Sequence, residues 1–348
     1  MLTIDLETAR RFILGKQGLW PGRRWQGVKG TEQAMRAMQY LQLDPLQIIA
    51  RSQDISLHSR VLNYKPELWQ DLTYKKRKFF DWGAWLAVRP MDELPYWRRV
   101  MQRERDGTYG DPRIRTLAKE HAEAIREMRL LLKERGTLSN RTVESDIPSK
   151  TMSYRGRKDS ALALYYLWYT GEAMTHHRER FERVYALTEK VAPADLIHEM
   201  DDEAVDRFLI RKEIEFNVLG RISRTSDSFR RGEPDRAAKK YLNTMLSDGD
   251  VIEVKVEGWK DLQYALGLPL FVKRGARLVP TNEALSLYRE VERQFVGLER
   301  IENAARNLRE GRAGSLRVAA LPAFNVGFLP RVVGSYLKQK PDLEIAIY

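Results

Sequence analysis

The residues Gln42-Leu43-Asp44-Pro45 set an amide and a carboxylate two positions apart, inside the run YLQLDPLQIIARSQDISLHSR over 40–60. From Gln42 to Ile49 the pattern alternates and then turns apolar, which predicts a short strand. Side chains two apart on a strand share a face. Leu43 is therefore expected to point into the core, with Gln42 and Asp44 projecting together out of it. Such a pair can hold one water molecule or steady one developing positive charge. The same residues also fit an ordinary strand end in which Asp44 caps an Asp-Pro turn.

The elements around this pair read as three rounds of helix, helix and small strand. In the first unit, 1–105, a helix starts near Asp5 with Leu6, Ala9, Phe12 and Ile13 on one face. Thr31 is expected to cap a second helix, and a third runs through Ile55, Leu57, Val61 and Leu62. A further helix covers 66–74, and KFFDWGAWLAVRP makes a hairpin bending at Gly83. The second unit, 106–198, holds a long charged helix ending at Gly136, a short helix within 138–149 and an aromatic-rich helix ending at Gly171. EAMTHHRERFERVYALTE follows as a wing hairpin. The third unit, 199–261, has an amphipathic helix through Val205, Phe208, Leu209 and Ile214, a helix opened by Pro234 and closed by Gly249, and one strand, VIEVKVEG. The fold class expected is mainly α with small β wings, as tandem winged-helix domains. A long linker helix and a partial α/β fragment follow over 262–348.

Composition narrows the chemistry. With 348 residues and 43% hydrophobic content the chain has ample core. It has no cysteine, which excludes disulfides, thiol nucleophiles, iron–sulfur clusters and cysteine zinc sites. His176 and His177 alone make a poor metal site, and no metal or organic cofactor is expected. The N-terminus lacks a signal pattern and no apolar run reaches the roughly 18 residues of a membrane span, so a cytoplasmic protein with no membrane partner is expected. Sixty Lys and Arg against 48 Asp and Glu give a formal charge of +12. That charge favours a polyanionic partner, with nucleic acid ahead of an acidic membrane or protein.

The stretch QLDPLQIIARSQDISLHSRV, followed by FFDWGAWLAVRPMDELPYW, resembles the winged-helix DNA glycosylases of the AlkZ/AlkX (YcaQ-like) family. The likeness rests on Gln42-Leu43-Asp44, Arg51-Ser52-Gln53-Asp54, Leu57 and Ser59-Arg60, and runs to about Gly258. It implies tandem winged helices that act on double-stranded DNA with alkylated bases, excising N7 and N3 purine adducts and interstrand crosslinks. Asp44 would steady an oxocarbenium-like sugar and aim a water that Gln42 orients. No lysine adjoins the motif, so a monofunctional enzyme without lyase activity is expected. Arg51, His58 and Arg60 beside the motif are assigned to phosphates or to the surroundings of a flipped-out nucleotide; salt bridging to Asp54 or Glu67 is the plainer role. Tyr154, Arg155, Arg157 and Lys158 form a second basic cluster suited to phosphates, or a solvated loop. Trp82 and Trp85 are candidate stacking residues, with core packing the commoner use.

From about Leu262 the sequence resembles LysR-type transcriptional regulators, starting at the end of their wing and crossing "LVPT" into their linker helix. The C-terminal β-barrel of glycosylase relatives is not seen after 258, and a junction of two fragments is the simplest account. If that barrel grips duplex DNA, this chain binds weakly or is inactive. Tyr288, Val291, Phe295, Leu298, Ile301, Ala305 and Leu308 make a seam along a helix over 281–311 that would pair two copies as a homodimer. The closing βαβ start is expected to leave its strands poorly satisfied. The alternative to an enzyme is a non-enzymatic DNA-binding transcriptional regulator dimerised through that helix.

Overall fold

The computed structural model describes residues 2–83, 86–107, 111–146, 159–220, 235–267, 271–274, 277–280, 314–319, 327–339 and 343–347. Two compact units result, Met1–Gly267 and Leu268–Tyr348. The first is mainly helical, with three small three-stranded sheets.

Strand β1 (Leu2–Ile4) leads into helix α1 (Leu6–Lys16), whose N-terminus is capped by Asp5: its carboxylate accepts the Thr8 N–H. The two-residue strand β2 (Trp25–Gln26) precedes α2 (Gly27–Ala37). Thr31 lies inside α2 rather than at its start, donating its hydroxyl to the Gly27 carbonyl one turn back. Next come β3 (Leu41–Gln42), α3 (Ser52–His58) and β4 (Val61–Leu62), which pairs in parallel with β2. The helix expected through Val61 and Leu62 thus stops at His58, and those two residues are extended. Helix α4 (Glu67–Gln70) continues as a π-helical turn over Asp71–Lys75. Strands β5 (Phe79–Trp82) and β6 (Ala87–Pro90) form the expected hairpin, with Gly83 at φ +100°, where a side chain would be strained. Ala34, Met35, Leu41, Leu43, Leu57, Trp69, Leu72 and Phe79 form one core beneath this end of the molecule.

Helix α5 (Leu94–Asp106) leads to α6 (Pro112–Glu120) and α7 (Ala122–Arg135). The single long helix expected here is broken at His121, which leaves the helical region at φ −118°. Gly136 (φ +79°) ends α7 as expected. Strand β7 (Thr137–Ser139) and α8 (Asn140–Asp146) come before α9 (Asp159–Tyr169). The wing is the hairpin of β8 (Ala173–Glu179) and β9 (Glu182–Leu187), giving a sheet of order β7-β9-β8. After the short α10 (Thr188–Val191), α11 (Asp202–Asn217) and α12 (Asp235–Asp248) lead to β10 (Val251–Val256) and β11 (Gln263–Leu266). The third sheet has the order β1-β10-β11, with β1 parallel to β10. Ala9 of α1 packs there on Val254, Val256 and Ala265, so the chain's first elements complete its third sheet.

In Leu268–Tyr348, β12 (Phe271–Arg274) and β13 (Arg277–Pro280) form a hairpin, while β14 (Gly314–Val318) and β15 (Leu343–Ile347) pair in parallel around a helix over Phe328–Gln339. Among the described residues this βαβ unit's sheet has two strands, and Leu316, Val332, Tyr336 and Ile347 are exposed. The seam expected over 281–311 lies outside the described residues.

Candidate active site

Strand β3 ends sooner than its apolar run suggests. Leu41 pairs with Val88 and Gln42 with Ala87 on β6, and the Leu43 N–H donates to the Leu86 carbonyl at 2.9 Å. The ladder stops there, and 43–50 is loop. Pro45 brings no N–H to a ladder, and the Leu46 N–H is captured by Asp44 Oδ1 at 2.9 Å. Asp44 therefore makes the turn foreseen as its plainer role. The alternation survives nonetheless: Gln42 is exposed, Leu43 is fully buried, and Asp44 is half-buried. Leu43 anchors the backbone in the core while the polar side chains on either side reach outward.

A residue not singled out for any role completes the arrangement. Gln53, only 1% exposed on α3, accepts the Asp44 N–H through Oε1 at 3.1 Å. It fixes the backbone of Asp44 from below, and the order Arg51-Ser52-Gln53-Asp54 within the motif was the only sequence signal for it. The Asp44 carboxylate accepts just the Leu46 N–H among the described residues, leaving Oδ2 free for a ligand.

Of the basic residues beside the motif, Arg51 stands at the start of α3, with its guanidinium 4.6 Å over the Phe181 ring. Its Nε is buried and makes no hydrogen bond among the described residues. His58 is exposed, with Nε2 2.8 Å from Arg23 Nη2. Arg60 turns inward. Only 8% exposed, it donates from Nε to the Gln17 carbonyl at 2.6 Å and from Nη1 to the Ser56 carbonyl at 2.8 Å. It ties the end of α1 to α3, and its assignment to phosphates gives way to that structural role. Asp54 accepts the Tyr64 hydroxyl at 2.8 Å; burial pushes its carboxyl above the usual value, against the opposing pull of that hydroxyl and of Arg51.

Phe181 comes from the tip of the β8–β9 wing, where Arg180 and Phe181 both adopt positive φ. The wing is held on β5 by a buried ionic cluster. Asp81 accepts from Tyr74 Oη (2.8 Å), Thr175 Oγ1 (2.7 Å) and Arg178 Nε (2.9 Å), with Arg183 Nε 3.5 Å away. Burial pushes the Asp81 carboxyl up, but Arg178 and Arg183 with these hydrogen bonds outweigh it and hold it below the usual value. A second buried pair steadies the approach to β3. Lys212 of α11 donates to Glu93 Oε1 at 2.7 Å and to the Gln39 side-chain carbonyl; Gln39 itself sits at φ +67° just before β3.

Trp82 is a core residue, donating from Nε1 to the Tyr169 carbonyl at 3.0 Å, whereas Trp85 lies outside the described residues. The cluster Tyr154, Arg155, Arg157 and Lys158 also lies outside them. His176 and His177 face each other through Nδ1 atoms 2.8 Å apart. Among the described residues no group of three or more His, Cys, Asp or Glu is arranged to hold a metal ion. Nor is any described helix long and apolar enough to cross a membrane.

A family model described as DNA glycosylase AlkZ-like matches residues 35–287, most of the chain and the whole of the motif region. The chain belongs to the AlkZ-like DNA glycosylase family. Among solved structures it is similar to the Streptomyces sahachiroi DNA glycosylase AlkZ, with a TM-score of 0.57 and 15% identity over 76% of this chain and 70% of that one. At that identity the likeness speaks for the fold alone. One segment is also similar to regulators: 46% identical over 88 residues to the octopine catabolism/uptake operon regulatory protein OccR of Rhizobium meliloti, and 44% over 82 residues to the transcriptional activator LysR of Escherichia coli. These matches cover 25% and 24% of this chain but only 29% and 26% of the regulators, so the chain spans less than a third of either. The regulator resemblance begins near 262, and the glycosylase match runs on to 287.

Proposed function

We propose that the chain is a monofunctional DNA N-glycosylase that hydrolyses the glycosidic bond of purines alkylated at N7 or N3. What carries the reading is the Gln42–Asp44 edge: a carboxylate with a free oxygen two positions from an exposed amide, on backbone pinned by Leu43 and Gln53, within the span that matches the family. An N7-alkylated purine is already cationic, so its bond to C1′ breaks with the electron pair going to the base, which leaves neutral. The deoxyribose left behind is positive at C1′, and a negative carboxylate nearby lowers that barrier. Water adds to C1′ and gives a proton to Asp44, while the Gln42 amide orients the water. No step requires a metal, a cofactor or a lysine adduct. Arg51 and His58, next to the motif in sequence, are assigned to the flanking phosphates. Interstrand crosslinks joined through guanine N7 are substrates of the same chemistry.

Duplex DNA containing N7-methylguanine, incubated with the protein and then treated with hot alkali, tests this directly. Strand breaks at the lesion that disappear with Asp44→Asn support the enzyme. The match to OccR and LysR favours a second reading, a DNA-binding regulator paired through 281–311. Sequence-selective gel shifts without base release would select it instead.

A further inference from the structure

Immediately after Asp44 the chain presents Leu46, Ile48 and Ile49 to solvent at 73%, 97% and 92% exposure. These three, gathered within four residues, stand above every other exposed large apolar side chain among the described residues, none of which passes 64%. The loop's base is nevertheless fixed. Leu43 is buried and bonded to the Leu86 carbonyl, Asp44 is held through its N–H by Gln53, and the Leu46 N–H is bound to Asp44 Oδ1. From that base Ile48 lies within about 14 Å of Asp44 along even a fully extended chain. Cationic groups frame the loop: Arg51 follows it directly, and Arg23, against His58, stands at the far end of α3.

We propose that this loop is an intercalating wedge, its Ile48 and Ile49 side chains entering the base stack of duplex DNA where the damaged nucleotide leaves it. The inference rests on the glycosylase reading above. For a purine monoadduct, C1′ is reached by drawing the target nucleotide out of the stack, and the gap it leaves favours an apolar filler. Aliphatic side chains inside a cationic frame match a partner that is apolar within and anionic without. Duplex DNA is such a partner, and a wedge joined to Asp44 by a few residues keeps the emptied position and the reacting sugar in register.

The experiment compares single-turnover release of N7-methylguanine from a duplex and from the same oligonucleotide as a single strand, using the full chain. In the double variant Ile48→Gln/Ile49→Gln the ratio of duplex to single-strand rates is expected to fall tenfold or more. The fluorescence rise of 2-aminopurine placed beside the lesion is expected to vanish with it. Ile48→Leu/Ile49→Leu keeps the ratio within twofold, as does Ile252→Gln, an exposed isoleucine on β10. A ratio unchanged in the double variant, or equal losses on both substrates, overturns the wedge while leaving the glycosylase intact. A double variant that changes only the oligomeric state would mark the loop as a contact between copies and overturn it as well. A parent chain releasing no base from either substrate overturns the glycosylase reading, and the wedge with it.

Discussion

Asp81 and Asp44 lie on the same small sheet region, yet their surroundings are opposite. Asp81 is buried on β5 and accepts from Tyr74, Thr175 and Arg178, with Arg183 alongside. Asp44 is half-buried at the end of β3, with one backbone N–H on Oδ1 and an open Oδ2. A carboxylate saturated by intramolecular donors has no capacity left for a substrate, so Asp81 joins two parts of the fold. A carboxylate held only by its backbone can spend its charge on something from outside. The amino acid is the same; the count of donors around it separates a fastener from a reagent.

The comparison breaks most severely at Asp81. Asp81→Ala leaves Arg178 and Arg183 buried beside a missing charge and is expected to destabilise the fold by about 3–5 kcal/mol, read by urea denaturation. A loss below about 1 kcal/mol would show that the wing does not depend on this cluster. Gln53→Ala removes the acceptor for the Asp44 N–H; excision is expected to fall about tenfold with a small drop in stability, in keeping with one unsatisfied buried donor. Single-turnover rates equal to the parent's would sever the link between Gln53 and the site. Arg60→Lys keeps the charge but loses the fork that reaches both the Gln17 and Ser56 carbonyls, and a loss of about 1 kcal/mol of stability is expected without a change in salt dependence of DNA binding. Reduced salt dependence would return Arg60 to the phosphate contacts.

Acidification separates the two aspartates more gently. The Asp81 carboxyl is held below its usual value in the fold, so the stability it contributes is fully present above the unfolded value of about 3.8. That stability is lost as pH falls through the lower, folded value. Asp81→Asn is therefore expected to lessen the fall of stability below about pH 4, which a pH series of thermal melts would show; an unchanged slope would place the acid sensitivity elsewhere.

Much of this was legible in the sequence. Two of the hairpins announced themselves, Phe79–Pro90 by Gly83 and Ala173–Leu187 by alternation, and the outward, inward, outward order of Gln42, Leu43 and Asp44 followed from strand periodicity. The apolar Leu46, Ile48 and Ile49 misled, because a periodicity reading takes aliphatic runs for buried ones; Pro45 and the Asp44 turn decide the matter locally. The pairing of β1 with β10 and the partners of Asp81 were beyond reach for another reason. They join residues far apart in the chain, and no local pattern encodes which distant side chains will meet.

The most direct measurement is Asp44→Asn, assayed in one preparation for both thermal stability and single-turnover release of N7-methylguanine from duplex DNA. With Asp44 as reagent, the melting temperature stays within about 2 °C while excision slows by about 2–4 kcal/mol of barrier. Excision within threefold of the parent, or a loss of activity that merely follows a loss of fold, would contradict the account.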